Sequence, residues 1–127
     1  MSTALYTHPD CHAHDMGHGH PECPQRLDAI HDHLIATGLD VALEHRDAPL
    51  VDLRDVELAH SVGYVSQLKD RLEQLALTGE ARAFDPDTSA NAGTWAAAQR
   101  AAGAAVAATD AVIDGDIANA FCAVRPP

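Results

Sequence analysis

Apolar residues along this chain recur at two different periods, and each period predicts one kind of secondary structure. Short apolar stretches predict strands at 4–7 and 41–45, and apolar positions alternate with polar ones in the second. A longer apolar run at 117–124, interrupted only by the polar Asn119, is typical of a buried strand in a parallel sheet. This run leads directly into an Arg-Pro-Pro corner at 125–127. Ligands of open α/β sheets bind beyond the carboxyl ends of the strands, so the corner indicates where a site begins.

Helical spacing of apolar residues separates the predicted strands. It predicts one helix at 24–37, with a first-turn proline and Gly38 as its C-terminal cap, and a second at 62–78 that ends at Gly79. A stretch dominated by Ala predicts a third helix at 95–114. Strands and helices in this order are typical of the α/β class, in which helices cover a mainly parallel sheet.

Two stretches lack either period and are predicted loops. The stretch at 8–22 is rich in His, Gly and Pro, and 84–91 has the composition of a turn. Gly103 lies in the middle of the Ala-rich helix, where it costs about 1 kcal/mol relative to Ala. We therefore expect the sheet to pack closely against the helix at this position. No linker or internal repeat divides the chain, which predicts a single domain.

The charge of the chain narrows the classes of partner. Eight Lys and Arg against 19 Asp and Glu give a formal net charge of -11, whereas a nucleic-acid surface needs clustered cations. We expect no direct nucleic-acid partner, and long-range attraction favours a cationic ligand. No apolar run reaches membrane-spanning length, and the N-terminus lacks the regions of a secretory signal. The chain has three cysteines, and this odd number is typical of proteins in a reducing compartment. Together these features indicate a cytoplasmic protein.

The densest chemical feature is a cluster of soft-metal ligands in the first predicted loop. Its members are His8, Cys11, His12, His14, His18 and His20. Imidazoles at this density could bind Zn, Ni or Cu, but their spacing matches no ordered structural zinc pattern. Adventitious metal binding, a functional metal site and a solvated loop all remain open interpretations. A second pair, His60 and Tyr64, could be mistaken for an acid-base dyad, and we interpret it as structural packing.

Four segments, in order along the chain, together resemble one known family. They are His-Pro-Glu-Cys-Pro-Gln-Arg-Leu at 20–27, His-Ser-Val-Gly-Tyr-Val at 60–65, Asp-Pro-Asp-Thr at 85–88 followed by the Ala/Gly-rich stretch at 96–108, and Asn-Ala-Phe-Cys-Ala-Val-Arg-Pro-Pro at 119–127. This set resembles the histone deacetylase and acetylpolyamine amidohydrolase superfamily. The sequence departs from the family pattern at Cys23, where Arg is usual.

The resemblance implies a fold and an activity. The fold would be the arginase/deacetylase-like three-layer sandwich with a mainly parallel sheet, of which 1–127 would be the N-terminal portion of one domain. The activity would be zinc-dependent removal of acetyl groups from acetyl-lysine, acetylpolyamines or related acetylated amines. In the family, Gly-His-His and the zinc ligands follow the Arg-Pro-Pro segment. We therefore expect no catalytic residue and no metal ligand within this chain, and no activity from these 127 residues alone.

The resemblance also assigns roles to four residues. Asp87 falls on the rim aspartate that accepts hydrogen bonds from the backbone amides of the substrate, although Asp87 or Asp85 could simply cap the loop. Arg26 falls beside the internal channel, with an exposed first-turn arginine as the alternative. His20 belongs to the loop at the rim of the mouth, and we place it among the supports of the active site. Arg125 is expected to pair with a buried carboxylate and so to fix the corner after the last strand.

Two other functional classes stay open at this point. A non-catalytic metal-binding protein would use the His-rich loop for tight, stoichiometric binding. An interaction fragment would pair an open sheet edge with a second copy of itself, which would make a homo-oligomer.

Overall fold

The computed structural model describes residues 1–127, which form a three-stranded parallel sheet between helices and a separate hairpin. The elements are β1 (Thr3–Thr7), α1 (Gln25–Ala36), β2 (Leu43–Asp47), α2 (Leu53–Val56), α3 (Val62–Thr78), β3 (Arg82–Asp85), β4 (Thr88–Ala90), α4 (Thr94–Ile113) and β5 (Asn119–Cys122). Two short 3-10 turns lie at Pro9–His12 and Asp40–Ala42. No helix is both long enough and apolar enough to cross a bilayer.

The sheet has the strand order β2-β1-β5, and both pairings are parallel. Successive side chains of β1 point to opposite faces, so the central strand is buried on both sides. Tyr6 packs in a cluster with Ala104 and Ala108 of α4, whereas Leu5 packs with Leu27 of α1. Helix α4, the sheet and α1 therefore form three layers, and the predicted α/β class with a parallel sheet is confirmed.

A third apolar cluster holds the β3–β4 hairpin against the helices. Leu72 and Leu75 of α3 pack against Ala90 of β4, with Trp95 of α4 at its margin. The hairpin is antiparallel and lies outside the main sheet. All four residues of β3 are exposed, so this strand is the solvent-facing one of the hairpin.

The three long helices lie where the sequence predicts them. Helix α3 has the predicted bounds, and α1 and α4 each differ from theirs by one residue at either end. The side-chain oxygen of Ser61 accepts a hydrogen bond from the Tyr64 backbone N–H and caps the start of α3. Gly79 ends the same helix at φ 72°, a left-handed conformation that favours glycine.

Several predictions about strands and loops were wrong. The stretch predicted as a loop at 84–91 contains most of the β3–β4 hairpin, because backbone pairing in an exposed hairpin leaves no apolar pattern. The strand predicted at 41–45 begins only at Leu43, after a 3-10 turn in which Val41 is 91% exposed. The short helix α2 and the 3-10 turn at Pro9–His12 went unpredicted, since neither is long enough to show a period.

The last strand is shorter and less buried than its apolar run predicts. It spans only Asn119–Cys122 and lies at an edge of the sheet with one neighbour, so Phe121 is 49% exposed and Cys122 is half-buried. The buried residues of the run, Ile117 and Ala123, lie outside the strand, one on each side of it. The strand β2 lies at the other edge, and self-association through an open edge stays a prediction.

The Ala-rich helix does receive another backbone at Gly103, although the partner differs from the expected one. A Cβ added to Gly103 would overlap the carbonyl oxygen of Pro49, which lies on the segment after β2 and not on the sheet. The Val51 N–H of that segment also donates a hydrogen bond of 3.1 Å to the Gln99 carbonyl oxygen. The prediction of close packing is confirmed, and its assignment to the sheet was wrong.

This contact predicts opposite effects of one substitution at two helical glycines. Gly103→Ala forces a backbone to move, so we expect the free energy of unfolding to fall by about 1–3 kcal/mol. Gly63→Ala in α3 meets no atom within 4 Å, and we expect a gain of about 0.5–1 kcal/mol from helix propensity. Urea denaturation of both variants measures the two changes. A Gly103→Ala protein as stable as the parent would contradict the contact.

Candidate functional site

A cavity of about 580 Å³ lies between α3, α4, the hairpin and the irregular segment at 8–24, which we call the first loop. Its walls include His14, His20 and Glu22 from the first loop, Asp87 from the hairpin, and the two terminal prolines. Pro126 and Pro127 lie four and five residues after the last residue of β5, so the cavity lies beyond the carboxyl end of that strand, as the sequence predicts. Three segments that are distant in sequence meet here.

Arg125 joins two of these segments through a buried network. Its side chain is fully buried, and its Nε and Nη2 donate to the two carboxylate oxygens of Glu22 over 2.7 and 2.8 Å. Its Nη1 donates to the backbone carbonyl oxygens of Cys11 (2.9 Å) and His14 (2.7 Å). The carboxylate partner predicted for Arg125 is therefore present, and it fixes the corner after β5 to the first loop.

The protonation of Glu22 follows from this geometry. Burial by itself raises the pKa of the Glu22 carboxyl, but the hydrogen bonds and positive charge of Arg125 outweigh burial, and the pKa lies below its ordinary value. The carboxylate is therefore ionised at neutral pH. A bidentate ion pair between a guanidinium and a carboxylate is among the strongest hydrogen-bonded contacts in proteins.

His14 connects the same network to α4. Its side chain is buried, its Nδ1 lies 2.9 Å from the Thr94 Oγ1, and its Nε2 lies 3.7 Å from a Glu22 carboxylate oxygen. Burial, followed by the charge of Arg125, lowers the pKa of His14 below its ordinary value, although Glu22 opposes this shift. The imidazole is therefore uncharged at neutral pH. It lines the cavity and is held there by its hydrogen bond to Thr94.

Asp87 and His20 meet at the mouth of the cavity. Asp87 lies in the turn between β3 and β4 with its side chain 92% exposed, and its Oδ1 lies 2.9 Å from the His20 Nε2. The cap of this turn is Asp85, whose Oδ1 accepts a 2.8 Å hydrogen bond from the Asp87 N–H. Hydrogen bonds from the Asp87 backbone and from Thr88 lower the pKa of Asp85. The Asp87 carboxylate does not cap its own loop.

The sequence of this site can be compared with known proteins. Residues 20–127 match the sequence model of the histone deacetylase domain. The chain belongs to the histone deacetylase family. The HD domain of HDA15, known from a crystal structure, superimposes with a TM-score of 0.85 at 27% sequence identity, over 99% of this chain and 35% of that one. The deacetylase-like three-layer fold is therefore confirmed.

Two curated proteins show the extent of the likeness to this family. The polyamine deacetylase HDAC10 of Homo sapiens is 34% identical over the whole of this chain, which spans 20% of that protein. The histone deacetylase-like amidohydrolase of Pseudomonas aeruginosa is 31% identical over 86% of this chain and 27% of its own length. The chain thus spans between a fifth and about a quarter of the length of these two relatives.

Arg26, which the family resemblance places beside an internal channel, lies on the first turn of α1. Its side chain is 50% exposed, and its Nη1 donates to a Glu22 carboxylate oxygen over 3.0 Å. Glu22 therefore receives two guanidinium groups, one buried and one at the surface. A role of Arg26 in a channel stays a prediction.

The histidines of the first loop do not converge on one point. His8 pairs with Asp10, His12 with Asp28, His14 with Thr94 and His20 with Asp87. No group of three or more His, Cys, Asp or Glu side chains is arranged to hold a metal ion. The residues of this chain therefore do not fit the zinc that the histone deacetylase family implies. His60 lies just before α3, and its ring packs at 5.4 Å, tilted, against Tyr64.

Sequence reasoning missed two residues of this site. Glu22 belongs to the motif at 20–27, but nothing local indicates that its partner lies 103 residues away. His14 counted only as a member of the metal-ligand cluster, and its contact to Thr94 spans 80 residues. The one available signal for Glu22 is Arg125 itself. An arginine directly after a buried strand needs a carboxylate partner from elsewhere in the chain.

The buried pair predicts a large loss of stability on truncation. Arg125→Ala leaves two buried carbonyl oxygens without a donor and leaves the Glu22 carboxylate with the surface Arg26 as its one guanidinium partner, so we expect the free energy of unfolding to fall by about 3–5 kcal/mol. The matched control is Arg54→Ala, because Arg54 makes the same kind of pair with Asp52 but is 87% exposed, and little change is expected there. Urea denaturation compares the two, and equal losses would contradict the importance of burial.

Proposed function

We propose that residues 1–127 form the N-terminal portion of one deacetylase domain, which removes acetyl groups from acetylated amines by hydrolysis of the amide bond. The family membership of residues 20–127 supports this proposal, and so do the names of the relatives, a polyamine deacetylase and a histone deacetylase-like amidohydrolase. In this proposal, the segment supplies a wall and the rim of the active-site cavity. The family implies zinc as the cofactor, and its ligands would lie C-terminal to Pro127.

The observation that carries the proposal is the exposed Asp87 carboxylate at the mouth of the cavity. Its Oδ1 contacts His20, and its Oδ2 accepts no hydrogen bond from the protein. A carboxylate held in this way accepts an N–H from an extended ligand and so orients the ligand in the cavity. We propose that the Asp87 carboxylate binds the substrate by accepting a hydrogen bond from a backbone amide of the substrate.

The charge of the cavity supports a cationic substrate. Its lining includes no Lys or Arg side chain and two carboxylates, Asp85 and Asp87, that pair with no Lys or Arg, whereas the Glu22 carboxylate is neutralised by Arg125. The chain as a whole carries a formal charge of -11, which attracts cations over long range. Acetylpolyamines and acetyl-lysine peptides rich in lysine both fit this field, and they are the substrate class that we propose.

The division of the active site predicts where activity resides. Residues 1–127 with added zinc should show no turnover of acetylspermidine or an acetyl-lysine peptide, because they hold no set of metal ligands. We expect a longer protein, in which Gly-His-His follows residue 127. This longer protein should hydrolyse acetylspermidine, the acetyl-lysine peptide or both. Release of acetate from both proteins measures the difference. Turnover by residues 1–127 that depends on the histidines of the first loop would overturn the proposal.

The role of Asp87 is tested in that longer, active protein. Asp87→Ala removes one acceptor of a charged hydrogen bond, so we expect kcat/KM to fall about tenfold or more, with bound metal unchanged. Asp28→Ala is the matched control, because Asp28 also pairs with a histidine at 2.9 Å but lies away from the cavity. Unaltered kinetics of Asp87→Ala on both a peptide and a small acetylated amine would remove Asp87 from the site.

A further inference from the structure

The two ring nitrogens of His20 make two different hydrogen bonds. The Glu22 backbone N–H donates to the His20 Nδ1 over 3.0 Å, and the His20 Nε2 lies 2.9 Å from the Asp87 Oδ1. A backbone N–H can only donate, so Nδ1 is the acceptor and carries no proton. The ring proton therefore lies on Nε2, which donates to the Asp87 carboxylate. The backbone of the first loop thus selects the tautomer that holds Asp87.

This hydrogen bond continues a chain of contacts that begins in the core. Arg125, fully buried after β5, holds the side chain of Glu22 through both carboxylate oxygens. The backbone of Glu22 holds the His20 ring, and the ring holds Asp87. Each member is more exposed than the one before it, from 0% for the Arg125 side chain through 16% for Glu22 and 23% for His20 to 92% for Asp87.

The hairpin turn itself constrains the Asp87 carboxylate poorly. All four residues of β3 are exposed, and the hydrogen bond within the turn uses the Asp87 backbone and not its side chain. An exposed aspartate samples several rotamers, and restricting it to the one orientation that binds a ligand costs conformational entropy. The bond to His20 removes part of that freedom before a ligand binds, and it leaves Oδ2 as the free acceptor.

We propose that His20 is a positioning residue for Asp87, one that fixes the rim carboxylate in the orientation that binds the substrate N–H. The inference rests on the proposed function of Asp87 and adds the residue through which the buried Arg125 network controls the rim. His20 need not touch the substrate for this role.

Three substitutions of His20 separate the two hydrogen bonds. His20→Gln places an amide N–H near the position of Nε2 and can still donate to Asp87. His20→Asn places an oxygen near the position of Nδ1, so it can accept from Glu22 but does not reach Asp87. His20→Ala loses both bonds. The matched control is His12→Ala, because His12 makes an exposed pair with Asp28 at the same 2.9 Å.

Kinetics of the active protein on an acetyl-lysine peptide or acetylspermidine, whichever it hydrolyses, test the proposal. We expect His20→Ala and His20→Asn to lose about threefold to tenfold in kcat/KM, and His20→Gln to stay within about twofold of the parent. In an Asp87→Ala background, His20→Ala should cause no further loss, because the two residues act through one contact. His12→Ala should leave kcat/KM unchanged.

Each other result identifies which idea fails. If Asp87→Ala is impaired while His20→Ala is not, the positioning role is wrong and the proposed function stands. If His20→Asn matches the parent and His20→Gln does not, His20 only shapes the first loop and the inference is overturned. Losses that add fully in the double variant overturn it too. If neither Asp87→Ala nor any His20 variant changes kcat/KM, the role of Asp87 itself has failed.

Discussion

The ion pair between Arg125 and Glu22 is the contact on which the site depends. The first loop is irregular yet partly buried, and buried carbonyl groups need donors. Arg125 supplies them to Cys11 and His14 while it neutralises the Glu22 carboxylate. A buried pair of charges costs desolvation, and complete hydrogen bonding is what offsets that cost. The corner after β5 and the loop after β1 are thereby held together at the carboxyl edge of the sheet.

A second arginine ties the other end of this loop to α4. The Arg100 Nε donates to the Asp10 carboxylate over 3.0 Å, and its Nη1 donates to the Ala48 carbonyl oxygen over 3.1 Å. This reach is possible because α4 consists largely of Ala and has Gly103 where Pro49 crosses it. Small side chains bring the helix close to the backbone of the segment after β2, so the Ala-rich composition serves the site as well as the core.

The sequence predicts the parts of this fold that repeat over many residues. Helices α1 and α3 and the central strand follow from apolar spacing, and α4 follows from its Ala content, because each pattern extends over several turns or lies between clear breakers. The β3–β4 hairpin and the edge position of β5 depend on which neighbours surround them, and the apolar pattern carries no such information. For the same reason, the sequence indicates that Arg125 needs a carboxylate but cannot choose Glu22 among 19 acidic residues.

The residues of the candidate site are dispersed along the chain because the sheet is parallel. Parallel neighbours require long crossover connections, so side chains that meet at one edge come from segments far apart in sequence. His20 and Asp87 are separated by 67 positions, and Arg125 and Glu22 by 103. A rim carboxylate on an exposed hairpin can nevertheless have a defined orientation if it is bonded to a loop that is itself bonded to the core. The buried ion pair of Arg125 and Glu22 and the exposed carboxylate of Asp87 are thus parts of one hydrogen-bonded network.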